Sequence, residues 1–165
     1  MRDICFGMAF LHSRGAIHGD VKSANVLFDG SGTAKIADFG TAKWIQHGAS
    51  TGLATTFIAT KATNSTQMSI PWAAPEVLDN DGASFKSDVY SFGIISWEIA
   101  SRQMPWADLN ARSIFKRVVL AGDRPKMPNN VSADIKHIIR SCWVGDPTAR
   151  PTFSDILDTM KSLPA

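Results

Sequence analysis

Cysteine is scarce in this chain. Only Cys5 and Cys142 occur among 165 residues, and they stand near opposite ends. A cysteine-based metal centre needs clustered ligands at short local spacing, so this pair argues against one. They read as two reduced thiols packed in helices. Long hydrophobic runs are lacking too: no apolar stretch approaches the roughly 18 residues that span a bilayer. Charge of one sign is not in excess. The net value of +2 is too small to argue for nucleic acid or an anionic membrane as partner. The N-terminus has no signal-peptide layout, because Arg2 and Asp3 lead into an amphipathic stretch and not a compact apolar block. The expected location is therefore intracellular, in the cytoplasm. No internal repeat is visible.

What is present is an ordinary globular composition, 44% hydrophobic and 19% charged, in a chain long enough for one domain with a core. The apolar steps Ile4, Met8 and Leu11 predict a helix over 1–14. Val26-Leu27-Phe28, the turn Asp29-Gly30-Ser31-Gly32 and then Lys35-Ile36-Ala37 predict a small hairpin. Residues 40–69, rich in Thr, Ser, Ala and Gly with weak periodicity, read as one long loop. Residues 86–101 carry apolar groups nearly all round, so they read as a buried central helix. A further helical face runs through Ile114, Phe115, Val118 and Val119. Ser132 suits the cap of a helix facing inward through Ile135, Ile138, Ile139 and Cys142. Thr152 with Asp155 resembles a capping box for the last helix. The expected fold class is mainly α, with one small β-hairpin near the start.

Three short segments carry the chemistry, in a fixed order: His18-Gly19-Asp20-Val21-Lys22-Ser23-Ala24-Asn25, then Asp38-Phe39-Gly40, then Ala74-Pro75-Glu76. Taken singly, Asp20 reads as a turn residue, Asn25 as a cap and Lys22 as a solvated charge. Taken in order, with the hairpin between the first two, they resemble the protein-kinase signature set. Lys86-Ser87-Asp88-Val89-Tyr90-Ser91-Phe92-Gly93 resembles the start of the kinase central helix. Cys142-Trp143, Asp146-Pro147 and Arg150-Pro151 resemble the segment before its last helix. The resemblance covers essentially the whole chain.

That resemblance implies a kinase C-terminal lobe over 1–165, with an activation segment over 38–76. Phosphoryl transfer needs positioning and charge neutralisation more than covalent help. By the motif, Asp20 is the base and Lys22 the cation beside the transferred phosphate. The side-chain oxygen of Asn25 and the carboxylate of Asp38 are the Mg²⁺ ligands that serve ATP. Leu27 lies beneath the adenine. His18 and Phe39 stack in a spine, and Asp88 accepts hydrogen bonds from the catalytic-loop backbone. Glu76 and Arg150 form a buried ion pair. Gly40 is expected to relieve strain where the chain turns sharply. His12, His47 and His137 match no motif and read as surface or packing residues.

Lys22 favours Ser/Thr over Tyr specificity, and Ser69, three before Trp72, keeps a hydroxyl where Ser/Thr kinases bond their catalytic Asp and Lys. The wording Lys22-Ser23-Ala24-Asn25-Val26-Leu27 and the Cys142-Trp143 segment resemble the tyrosine-kinase-like group of Ser/Thr kinases. One departure stands out: Gly19 occupies the position of the family's arginine, which pairs with a phosphate on the activation loop. Activation is therefore expected not to depend on that phosphate, although the loop offers Thr51, Thr55, Thr56, Thr60, Thr63, Ser65 and Thr66. The sequence has no G-x-G-x-x-G before a strand and no V-A-I-K-like lysine, the parts that a small N-terminal lobe supplies. The chain is expected to begin inside the helix before the catalytic loop and to be inactive by itself. Three readings stay open. They are a fragment of an active kinase acting on protein substrates, a pseudokinase-like protein-binding module, and an all-α interaction domain with chance motifs.

Overall fold

A computed structural model describes residues 1–46, 56–59 and 69–163. The order runs α1 (Arg2–Ser13), β1 (Ala16–Ile17), β2 (Val26–Phe28), β3 (Ala34–Ile36), β4 (Lys43–Gln46), β5 (Thr56–Ala59), α2 (Pro75–Leu78), α3 (Phe85–Ser101), α4 (Ala111–Phe115), α5 (Ala133–Cys142) and α6 (Phe153–Lys161). A π-helical stretch, Lys116–Leu120, continues α4. The molecule is mainly helical, with small antiparallel sheets.

Helix α3 forms the centre because its sequence leaves no polar face. Residues 87–97 are buried without a break. Its start is fixed by a reciprocal cap: the Ser84 side chain accepts from the Ser87 amide, and Ser87 returns a bond to the Ser84 amide. Helix α5 packs across α3 at Gly93, where an added Cβ would lie 2.8 Å from the Cβ of Cys142. Helices α5 and α6 start on side-chain caps from Ser132 and Thr152. Phe153 and Ile156 of α6 join Ile4, Cys5 and Met8 of α1 in the same core.

The hairpin pairs Val26 with Ile36 and Phe28 with Ala34. Asp29 closes its turn by accepting from the Ser31 hydroxyl and from the amides of Thr33 and Ser31, which together hold its carboxyl down at about 2. A second sheet of order β1-β4-β5 corrects two expectations, the single hairpin and the unbroken loop over 40–69. Lys43–Gln46 pairs with Ala16–Ile17 on one side and with Thr56–Ala59 on the other. The partner β1 lies about 27 residues from β4 in sequence, so local periodicity carries no trace of that pairing. The aromatic and β-branched residues Trp44, Ile45, Thr56, Phe57 and Ile58 were the available signal. His47 and the hydroxyls Thr51, Thr55, Thr60, Thr63, Ser65 and Thr66 lie outside the described residues.

Candidate active site

Residues 18–25 run between β1 and β2, with no regular structure until a single 3₁₀ turn at Ser23–Asn25. Such a segment needs outside partners for its backbone, and Asp88 on α3 supplies them. Its Oδ2 accepts from the amide of His18 at 2.8 Å, and its Oδ1 from the amide of Gly19 at 2.9 Å. Asp88 lies in the first turn of α3, where the helix dipole favours a carboxylate. Its Oδ2 also accepts from His12 Nε2 at 2.9 Å. That imidazole sits between the rings of Phe85 and Phe153, at centroid distances of 4.6 and 4.8 Å. His12 is thus part of the support for this segment, a role its sequence context does not reveal. His137 is on the surface.

Gly19 has φ +78°, a left-handed conformation that suits glycine, and a Cβ there would meet the carbonyl oxygen of Thr41 at 3.3 Å. His18 is buried and bonded at both ring nitrogens. Nδ1 accepts from the Asp20 amide at 3.3 Å, so the proton resides on Nε2, which donates to the Ala37 carbonyl at 3.1 Å. Its ring lies 5.4 Å from that of Phe39. The imidazole therefore ties the backbone of Asp20 to the residue before Asp38. A second tie runs from the Ala37 amide to the Asn25 carbonyl at 2.9 Å, which brings the two ends of the hairpin together.

The polar cluster forms on this frame. Lys22 Nζ donates to Asp20 Oδ2 at 2.7 Å and to Ser69 Oγ at 2.9 Å. The Asn25 amide nitrogen donates to the Asp20 carbonyl at 2.8 Å and to its Oδ2 at 3.2 Å. Asp20 and Lys22 keep 18% and 22% of their side-chain surface exposed, enough for a reacting group to approach. Two donors occupy Asp20 Oδ2, and no partner takes Oδ1 among the described residues. Asp38 is exposed and takes the left-handed conformation, with φ 63°. The expectation for Gly40 is corrected here: the left-handed turn falls on Asp38, and Gly40 is not among the residues of positive φ. Gly40 instead gives room, since a Cβ there would stand 3.1 Å from Asp38 Oδ1, which accepts from the Gly40 amide. A non-glycine residue held in this region stores strain, a feature of functional sites.

Farther out, Glu76 receives Arg150 in a two-pronged pair, with Nη1 to Oε1 at 2.7 Å and Nη2 to Oε2 at 2.9 Å. Leu27 of β2 is 56% exposed beside Phe28 at 73%. Glu98, unremarked in the sequence, links Ser23 to Trp72. No group of three or more His, Cys, Asp or Glu could cage a metal among the described residues. Asn25 and Asp38 offer two hard oxygen donors, which suits Mg²⁺, an ion commonly held by one or two protein oxygens with water and phosphate supplying the rest.

A family model described as protein tyrosine and serine/threonine kinase matches residues 1–160. The chain belongs to that family. Among its curated relatives, the serine/threonine-protein kinase CTR1 of Arabidopsis thaliana is 37% identical over 163 residues, covering 98% of this chain and 18% of the relative. The serine/threonine-protein kinase STY46 of the same plant is 34% identical over 161 residues, covering 98% of this chain and 26% of the relative. A probable LIM domain-containing serine/threonine-protein kinase of Dictyostelium discoideum is 37% identical over 161 residues, covering 98% and 15%. The chain thus spans about a quarter or less of the length of these relatives. By family it is a serine/threonine-type protein kinase sequence of the tyrosine-kinase-like kind, with the mainly helical C-lobe fold. No helix among the described residues is long and apolar enough to cross a membrane.

Proposed function

We propose that residues 1–165 are the C-terminal lobe of a catalytic domain that transfers the γ-phosphate of ATP to Ser or Thr hydroxyls of protein substrates. The observation that carries this is the Asp20–Lys22–Ser69 cluster, joined at 2.7 and 2.9 Å through one ammonium group. Lys22 is a compact cation beside a carboxylate with one oxygen left open by the described residues, which suits a site that receives a hydroxyl and neutralises a phosphate. Asp20 orients the substrate hydroxyl and takes its proton through Oδ1, while Lys22 and Asn25 hold Oδ2 in place. Ser69 fixes the far side of Lys22 and ties the end of the activation segment, 38–76, to the base. Asn25 Oδ1 and the Asp38 carboxylate are the atoms that would hold Mg²⁺, which when bound supplies charge neutralisation between the phosphates. Leu27, exposed on β2, is the apolar floor for an adenine.

The sequence contains neither a glycine-rich phosphate loop nor a V-A-I-K lysine, so an N-terminal lobe has to complete the ATP site. An apolar groove lined by Phe6, Phe10 and Phe39, each 45% exposed or more, supports such a covering lobe. It equally favours the second reading, a pseudokinase-like module that binds a protein there. The test separates them. The purified 165-residue chain is expected to phosphorylate nothing, and the full-length protein to label Ser and Thr of a generic substrate, with the signal lost in Asp20→Asn. A full-length protein with no Asp20-dependent transfer would favour the binding module. Gly19 stands where the family's phosphate-pairing arginine would, so a loop phosphate lacks its main cation partner, and replacing every Ser and Thr in 50–66 by Ala is expected to leave activity within a few-fold. Its abolition would sink that part of the reading.

A further inference from the structure

A cleft of about 690 Å³ opens between the end of α3 and the π-helical stretch Lys116–Leu120, a size that takes a small ligand or a few peptide side chains. None of the residues placed at the reaction site lines it. Trp106 on its wall is left-handed, with φ 57°. That conformation is strained for a bulky residue, and such strain gathers at ligand sites. The Trp106 indole Nε1 is buried with no acceptor among the described residues. The π-helical stretch, which contributes Arg117 to the wall, is itself a geometry found mostly at functional sites.

The lining combines aromatic surface with uncompensated positive charge. Trp97 and Trp106 supply the rings, and Met104 beside them is 53% exposed. Arg117, Arg124 and Lys126 stand against one acidic residue of the lining, Asp108. Asp123, not part of the lining, pairs with Arg117 at 3.3 Å. Arg124 hydrogen-bonds only carbonyls: Nε to Trp143 at 2.7 Å, and Nη1 to Asp123 and Val118 at 2.7 and 3.4 Å. Its charge therefore meets no carboxylate among the described residues. Lys126 is exposed, and its ammonium has no acceptor among them. The Trp97 indole donates to the Lys126 carbonyl at 3.0 Å, so the backbone that carries this cation is fastened to α3.

We propose that this cleft docks an acidic peptide segment of a partner protein, one in which Asp or Glu residues flank a Leu or Phe. The inference goes beyond the transfer reaction and does not depend on it. The apolar side chain of the peptide covers Met104 and the tryptophan rings, and its carboxylates meet Lys126 and Arg124. Trp, Met and Arg are enriched at protein interfaces, and all three line this cleft. Charge decides the occupant. A basic segment is repelled by two cations that have no carboxylate of their own, and a neutral segment leaves both unpaired.

The test selects binders of the full-length protein from a displayed library of peptides about eight residues long, with Leu or Phe at the centre and Asp, Glu, Lys or Ser elsewhere. Selection is expected to enrich Asp and Glu on both sides of the apolar residue. Fluorescence anisotropy of an enriched peptide then reads the site. Lys126→Glu, which turns an attraction into a repulsion, is expected to weaken binding about tenfold. Met104→Ser is expected to weaken it about fivefold by removing apolar contact. Both side chains are exposed, so neither change disturbs the core. Lys161→Glu on α6 makes the same charge change away from the cleft, and is expected to stay within about twofold of wild type. A selection that enriches Lys or no charge at all would overturn the proposal. So would an acidic peptide that binds Lys126→Glu as tightly as wild type, or one weakened equally by Lys161→Glu. Self-association of the full-length protein that Lys126→Glu abolishes would give the cleft to a second copy, and would overturn it as well.

Discussion

Arg150 is the bulkiest of the fully buried side chains among the described residues, and its guanidinium has five N–H groups to satisfy. All five find acceptors. Nε donates to the Val144 carbonyl at 2.9 Å, Nη1 to Glu76 and the Lys86 carbonyl, and Nη2 to Glu76 and the Gly145 carbonyl. The Tyr90 ring lies under the guanidinium at 5.1 Å. A buried cation is tolerated only when it is paired this completely. Removing Glu76 leaves two N–H groups and a full charge uncompensated. Glu76→Ala is therefore expected to cost about 3–5 kcal/mol of stability, read as a fall in the urea midpoint of the chain. Arg150→Lys is expected to fail as a substitute, because an ammonium cannot reproduce the fork. A loss below about 1 kcal/mol for Glu76→Ala would show the pair to be dispensable.

At the scale of elements, the crossing of α3 and α5 turns on one missing methyl. Gly93 sits in the middle of a 17-residue helix, where intrinsic propensity favours alanine by about 1 kcal/mol. Propensity alone predicts that Gly93→Ala stabilises. The close approach of Cys142 says the opposite, since a Cβ at 2.8 Å from a neighbouring Cβ forces the two helices apart. Overpacking of this kind costs about 1–3 kcal/mol, so the sign is expected to be destabilising. Thermal denaturation of Gly93→Ala checks it, and a raised melting temperature would refute the close crossing. The helices themselves were legible beforehand, because apolar steps of three and four residues and the caps at Ser132 and Thr152 are local signals. The sheet through β4 was not. Two-residue β1 and its partner carry no alternation long enough to read, and their pairing is decided by what α1 and the hairpin leave adjacent.

For the molecule as a whole, burial sets the response to alkali. Desolvation pushes the Cys5 and Cys142 thiols from an ordinary 9.0 up to about 12. It does the same to the Tyr90 phenol, from 10.0 to about 12, against the lowering effect of Arg124 and Arg150 nearby. In each case the folded chain holds the proton more tightly than the unfolded chain. The stability they contribute is complete below pH 9 and is lost as pH rises from 9 towards 12. Urea midpoints measured between pH 8 and 11 are expected to fall steadily above pH 9. Both thiols are expected to ignore a thiol reagent at pH 8 until the chain is unfolded. A flat midpoint up to pH 11, or native thiol labelling, would place these groups in contact with water.

The sequence by itself determined the order of the three motifs, the helical segments, their caps and the family. Those depend on residue type and spacing along a few turns, and such information is local. Only the tertiary structure decided what reaches what. Asp88 and His12 meet from positions 76 residues apart, and Glu98 and Ser23 from positions 75 apart. Trp72 and Gly93 acquire their roles from whatever helix α3 packs beside. The left-handed turn belongs to Asp38 and not to Gly40, next to Ala37, whose carbonyl accepts from His18 and whose amide donates to the Asn25 carbonyl. A hydrogen bond needs two groups within about 3 Å, and no spacing rule along one strand of sequence specifies a partner that the fold alone brings into range.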